Sequence, residues 1–229
     1  MPTLTKLRLN GNQLKLLALL TMTCDHIGMQ LFPHALWLRC IGRLAMPIFA
    51  FMIAEGCRHT RSRKRYLLSI LSVAALCQIV YLVAMGSLYM CIMVTFSLSV
   101  ALIYLWDYAM TRPAPQGGFL VLAALCVTWV LCEAPLFPGT DFHIDYGIFG
   151  VLLPVLIYMG RTGLQSFAMT ALGLVLLNLS RGGIQWLSMF ALISLAFYDG
   201  SRGKAKLKYL FYIYYPAHLA VIWLIGLFL

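Results

Sequence analysis

Acidic residues are scarce in this chain, with seven Asp and Glu against seventeen Lys and Arg in 229 residues, and only 10% of all positions are charged. Soluble domains carry about 25% charged and 45–50% apolar residues. Here 62% are hydrophobic and the mean hydropathy is +0.88, which excludes an ordinary soluble domain. Paired cysteines are also missing. Cys24, Cys40, Cys57, Cys77, Cys91, Cys126 and Cys132 stand singly in apolar runs and are odd in number, so they read as buried apolar thiols rather than a disulfide framework or zinc site. The chain has no P-loop, dinucleotide glycine fingerprint, metalloprotease helix or nucleophile elbow, and Gly117-Gly118 and Gly182-Gly183 read as turns. No metal is expected. A net charge of +10 would suggest nucleic acid in a soluble protein. In a chain this apolar it is assigned to loops against an anionic membrane surface, with no nucleic-acid partner.

What is present is a succession of apolar runs. A spanning helix needs about 20 mostly apolar residues, and polar and Gly/Pro punctuation divides the chain into nine segments, near 13–33, 36–57, 66–85, 89–107, 118–135, 145–160, 164–179, 183–198 and 209–229. The expected fold is all-α, a polytopic transmembrane helix bundle of about nine spans forming one integral membrane domain over 1–229. There is no internal repeat. The first apolar run passes into Thr23-Cys24-Asp25-His26 without a small-residue cleavage site, so it reads as an uncleaved signal anchor.

Basic residues in short loops mark the cytoplasmic side. Lys6, Arg8 and Lys15, the run Arg58-His59-Thr60-Arg61-Ser62-Arg63-Lys64-Arg65, then Arg112, Arg161 and Arg202, Lys204, Lys206 and Lys208 fall on alternate loops of one side. The other side has few cations, chiefly Arg39 and Arg181, and carries Glu133, Asp141, His143 and Asp145. The N-terminus is therefore placed in the cytoplasm and the 133–145 loop outside.

An ionisable group at the centre of a spanning helix costs about 2.5–3.5 kcal/mol on insertion scales and is a functional candidate by default. At about 1.5 Å of rise per residue, Asp25, His26 and Arg43 fall at similar depth in the outer half of the bilayer, with Gln78, Thr95, Asp145 and Tyr146 at or above that level. Together they predict a polar cavity opening outward. Asp25 and Arg43 read equally well as a structural ion pair. Adjacent helical residues diverge by about 100°, so Asp25 is not expected to orient His26. His218 follows Pro216 in the last segment and reads either as satisfied by nearby carbonyls or as part of the site. His143 and Asp141 read as solvated loop residues, and His34 and His59 as interfacial. Glu55 closes the second segment ahead of the basic run, which would bind lipid headgroups or the phosphates of an anionic cofactor.

These stretches resemble the TraX family, integral membrane proteins tied to N-terminal acetylation of conjugative pilin. The matching pieces, in order, are Leu14-Lys15, Asp25-His26-Ile27-Gly28, Ile41-Gly42-Arg43-Leu44-Ala45-Met46-Pro47, Glu55-Gly56 with His59-Thr60, Gln78, Thr95-Phe96, His143-Ile144-Asp145-Tyr146-Gly147, and Tyr214-Tyr215-Pro216-Ala217-His218. Lys15 and His26, with ten residues between them, are also similar to the basic-residue, spacer and histidine pattern of acyltransferase-3-type membrane acyltransferases. That resemblance implies catalysis by His26 with cytoplasmic acetyl-CoA as donor, and Lys15, Arg43 and His218 in support.

The function so implied is an acetyltransferase of the bacterial inner membrane that moves acetyl from acetyl-CoA to the N-terminal amine of a pilin-like or other peptide. His26 would be general base or acetyl carrier, and Arg43 or Tyr146 would stabilise the oxyanion. Lys15, Arg58, Arg61, Arg63, Lys64 and Arg65 would hold CoA phosphates, and Gln78, Thr95, His143 and Asp145 would contact the acceptor. His26 lies about 16 Å farther along the helix than Lys15, which calls for a tunnel rather than a surface groove. The alternatives are a proton-coupled transporter using an Asp25, His26, Arg43 and His218 relay, and a non-catalytic assembly factor for a surface appendage.

Overall fold

The structure is a computed structural model that describes residues 8–205 and 207–228, with the backbone alone of Lys208 and Tyr209. Lys6 and Lys206, two of the cations used to assign sidedness, lie outside the described residues. The regular elements of the described chain are helices: α1 (Gly11–Gln30), α2 (Leu36–Gly42), α3 (Ala45–His59), α4 (Arg63–Met85), α5 (Ile92–Ala109), α6 (Ala114–Glu133), α7 (Gly147–Met159), α8 (Gly163–Arg181), a 3₁₀ segment (Gly183–Phe190), α9 (Ala191–Ala196) and α10 (Lys208–Gly226). Five stretches are long and apolar enough to cross a membrane: Leu36–His59, Arg63–Met85, Ile92–Ala109, Ala114–Glu133 and Gly163–Arg181. Gly147–Met159, Gly183–Ala196 and Leu210–Gly226 are shorter apolar helices.

Local chemistry fixes the boundaries. Asn10 caps α1 reciprocally, its Oδ1 accepting from Gln13 N–H at 3.0 Å while Gln13 Oε1 accepts from Asn10 N–H at 2.9 Å. Thr162 and Gln165 cap α8 in the same way, and Gly86, at φ +61°, ends α4 in the left-handed conformation open to glycine. Three sequence expectations change. The apolar segment 36–57 is two helices, interrupted at Arg43-Leu44, where the guanidinium is drawn toward α1. The segment 183–198 begins as a 3₁₀ helix after Gly182 and Gly183, both at positive φ. Gly117-Gly118 is not a turn but lies in the first turns of α6, which starts behind Pro113 with Pro115 in its first turn.

Helix α3 is the hub, packed by α1, α4, α5, α7, α8 and α9 and burying Met46, Ile48, Ala50, Phe51, Met52 and Ala54. α10 returns to lie against α1 and α4, whereas α6 touches the bundle through α5 and α7 and is the least buried of the long helices. Inside a membrane, close approach replaces hydrophobic expulsion as the source of helix association. Gly28 and Gly42 provide it between α1 and α2, since a Cβ on them would lie 2.7 Å from Leu38 Cβ and 2.3 Å from Asp25 Cβ.

The connections sort onto two faces. On one, Leu9 N–H donates to the Phe197 carbonyl (2.8 Å), Gly11 N–H to the Ser201 carbonyl (2.7 Å), and Arg63 pairs with Asp107 (2.5 Å). On the other, Met90 and Ile144 form a bridge, Asp141 accepts from Ser87 Oγ (2.5 Å) and Leu88 N–H (2.9 Å), and Arg181 meets His143 (3.2 Å). Near the first face, Lys15, Arg61 and Arg202 line one cavity.

Candidate functional site

Two polar constellations meet on α1. Asp25 faces α2: its carboxylate takes Arg43 Nη2 at 2.5 Å and Arg39 Nη1 at 3.1 Å, and its carbonyl takes Arg39 Nη1 at 3.2 Å. Arg43 is held on every side, donating Nε–H to the Arg39 carbonyl at 3.3 Å and Nη1–H to Gln185 Oε1 on the 3₁₀ segment at 3.1 Å. Because Gly42 lacks a Cβ, the Asp25 carboxylate can lie against the α2 backbone.

His26, one residue on, turns to the other side. Its Nδ1 lies 2.6 Å from Nε2 of His218 on α10, and the rings are near-parallel with centroids 4.9 Å apart. His218 Nδ1 lies 3.0 Å from the Tyr214 carbonyl oxygen. Tyr214 stacks on His218, Tyr215 packs edge-on against both imidazoles, and the Thr23 and Tyr214 hydroxyls bond at 2.8 Å. The expectation that Asp25 does not orient His26 agrees with this geometry. The roughly 100° between adjacent helical positions sends one to α2 and the other to α10.

Two more of the predicted polar residues bind loops, Thr95 the one before α7 and Gln78 the one before α5. Thr95 Oγ donates to the Asp145 carbonyl at 2.7 Å, and Gln78 Nε2 donates to the Tyr89 carbonyl at 3.1 Å. Partial burial, and then the charge of Arg181 beside it, hold the His143 imidazole below its usual range. Tyr146 precedes α7 at φ +60°, the left-handed region a bulky residue rarely enters.

A cavity of about 670 Å³ lies within the bundle. Its rim carries Lys15, His59, Arg61 and Arg202, its walls include Phe49, Met52, Ile53 and Phe96, and it reaches Tyr215, the ring packed against His26 and His218. The Lys15 ammonium lies 5.5 Å from the centre of the Phe211 ring. Lys15, His59, Arg61 and Arg202 thus give one end of this cavity a cationic lining.

Of the predicted phosphate-binding cations, Lys15 and Arg61 line this cavity. Arg58 is committed elsewhere, pairing with Glu55 at 2.7 Å and donating to Ser166 Oγ and to the carbonyls of Ile157, Tyr158 and Gly160 at the end of α7. Arg63 pairs with Asp107 and lies over the Tyr104 ring, and Lys64 and Arg65 are exposed at the start of α4. Sequence reasoning gave Arg39 and Arg202 only a place in loops, assigned Tyr214 and Tyr215 no role beyond the motif that leads to His218, and missed Gln185 altogether. Gln185 stood in a segment read as a plain span, and the two tyrosines lie three and four residues before His218, a helical signal that was there to be used.

The model of the family described as TraX protein matches residues 10–226. The chain is 26% identical over 243 aligned positions to a probable fimbrial assembly protein, FimC of serogroup H1, from Dichelobacter nodosus, covering 92% of this chain and 93% of that protein. It is 55% identical over 38 residues to an uncharacterized protein of Rickettsia prowazekii, 17% of this chain and 15% of that one. No solved structure matches it.

Proposed function

The chain belongs to the TraX family, an integral membrane protein family, and on that premise we propose that it is an acetyltransferase. It moves acetyl from cytoplasmic acetyl-CoA to an amine, the N-terminus of a pilin-like peptide. The observation that carries this reading is the cavity joining a cationic rim to the ring beside the His26 and His218 pair. Such a space suits a long donor with phosphates at one end and a thioester at the other. Lys15 and His26 stand about 16 Å apart along α1, a length that the extended pantetheine arm covers.

The face bearing the rim is the cytoplasmic one by the positive-inside rule, with nine helical passes and the membrane the bacterial inner one. Acetyl-CoA supplies the activated acyl group. Lys15, Arg61 and Arg202 hold its phosphates by charge-assisted hydrogen bonds, and Phe49, Met52, Ile53 and Phe96 wall its arm from water. His26 takes the proton of the attacking amine as general base. Arg43, fixed by Asp25, Gln185 and the Arg39 carbonyl, supplies positive charge at the outer side of the site. A fimbrial subunit as acceptor is in keeping with the Dichelobacter relative being named a probable fimbrial assembly protein. Detergent-purified protein given radiolabelled acetyl-CoA and a synthetic peptide amine will release CoA and label the peptide, and His26→Ala will abolish both. Full turnover by His26→Ala, or no CoA release by the wild type, overturns the reading.

A further inference from the structure

An imidazole has two nitrogens, and a neutral one offers a lone pair on only one of them. His218 Nδ1 lies 3.0 Å from the Tyr214 carbonyl oxygen. A carbonyl only accepts, so His218 Nδ1 carries a hydrogen and donates it. In the neutral ring Nε2 is then the acceptor, and the hydrogen in the 2.6 Å contact belongs to His26 Nδ1. His26 Nε2 is left with its lone pair, and no described residue hydrogen-bonds to it.

From this chain of bonds we infer that His218 is a positioning residue, one that holds His26 in the tautomer whose Nε2 is the base. The inference rests on the acetyltransferase reading and deepens it. The Tyr214 carbonyl, His218 and His26 stand in series, and His218 does for His26 what a carboxylate does for the histidine of a serine-protease triad. A neutral partner suits this place. The nearest carboxylate, Asp25, is taken by Arg39 and Arg43, and a second buried charge without a partner would be costly. The charged and titratable groups around the pair are Arg39 from α2, Arg43 just after it, and Tyr214 and Tyr215 from α10, while Asp25 on α1 faces away, paired with the two arginines. Cys77 and Tyr81 of α4, Cys91 and Asp145 lie beyond Tyr215.

During transfer the amine nitrogen bonds to the acyl carbon as the carbon–sulfur bond breaks. Nε2 accepts the amine proton and later returns it to the departing thiolate, while His218 gains and loses none.

The test is nitrogen NMR of histidine-labelled protein in detergent, together with turnover of three variants. Wild type will show His26 protonated at Nδ1 and bare at Nε2. His218→Gln, whose amide oxygen can replace the accepting nitrogen, will keep this spectrum and turn over within about tenfold of wild type, whereas His218→Leu and His218→Asn will mix the tautomers and lose about 100-fold or more. A hydrogen on His26 Nε2 in the wild type, or equal losses in the Gln and Leu variants with an unchanged His26 spectrum, overturns the inference. Because the spectrum is read without substrate, the predicted tautomer in a protein that never turns over acetyl-CoA would sink the acetyltransferase reading and leave the pairing standing.

Discussion

Replacing Gly42 by alanine adds one methyl group at the point where α1 and α2 touch. An ideal Cβ there would fall 2.3 Å from Asp25 Cβ and 2.4 Å from Oδ1. Ordinary contact begins at 3.4 Å, so Asp25 has to retreat by about 1 Å (3.4 less 2.3). That displacement separates the carboxylate from Arg43 Nη2, now at 2.5 Å, and from Arg39 Nη1, now at 3.1 Å. Overpacking costs about 1–3 kcal/mol, and the total rises toward about 3–5 kcal/mol if the half-buried ion pair is lost outright. Gly118→Ala is the matched control, because its Cβ would meet nothing within 4 Å, and it should hold or gain about 0.5–1 kcal/mol. Thermal melting of the two purified variants in the same detergent, with acetyl-CoA turnover alongside, reads both effects. If Gly42→Ala melts with the wild type and turns over normally, the tight packing of Asp25 against α2 is not what holds Arg43.

Other consequences follow from the same geometry. Lys15→Ala and Arg61→Ala should each raise KM for acetyl-CoA about 10- to 100-fold with kcat little changed, in keeping with loss of one charge-assisted bond of about 1.5–3 kcal/mol; an unchanged KM in both removes the rim from the donor site. Arg58→Ala should leave that KM alone and instead lower the melting temperature, since it strips donors from the end of α7 at about 1–3 kcal/mol, so a pure KM effect contradicts its assigned place. Asp141 is held below the usual carboxylate range by hydrogen bonds from Ser87 and Leu88. Its contribution to loop stability is therefore complete above the ordinary carboxylate value and lost as the pH falls through the lowered one. Amides of 86–91 should exchange faster in that acid range, and Asp141→Asn should show the fast exchange already at neutral pH.

Nine apolar segments were legible because each is bounded by charge, Gly or Pro, and helical structure occupies every one. The convergence of Asp25 and Arg43 was legible from depth alone, as unpaired charges at one level of a bilayer seek each other. The break at Arg43-Leu44 went unread although its cause is in the sequence: Pro47, four residues on, has no N–H for the Arg43 carbonyl and its ring crowds it, just after Gly42. The partnership of His26 with His218 spans 192 positions, and periodicity within one helix carries no record of which helix lies beside it. Arg58 illustrates a further limit: in the sequence it is one cation of a basic run, yet in the fold it caps α7 while Arg61, three residues on, lines the cavity.

The most direct test is a structure of the purified protein bound to a non-hydrolysable acetyl-CoA analogue. The account predicts phosphates among Lys15, Arg61 and Arg202, the arm between Met52 and Phe96, and the acyl carbon within reach of His26 Nε2. An analogue bound elsewhere, or one that leaves the cavity unfilled at saturating concentration, contradicts it.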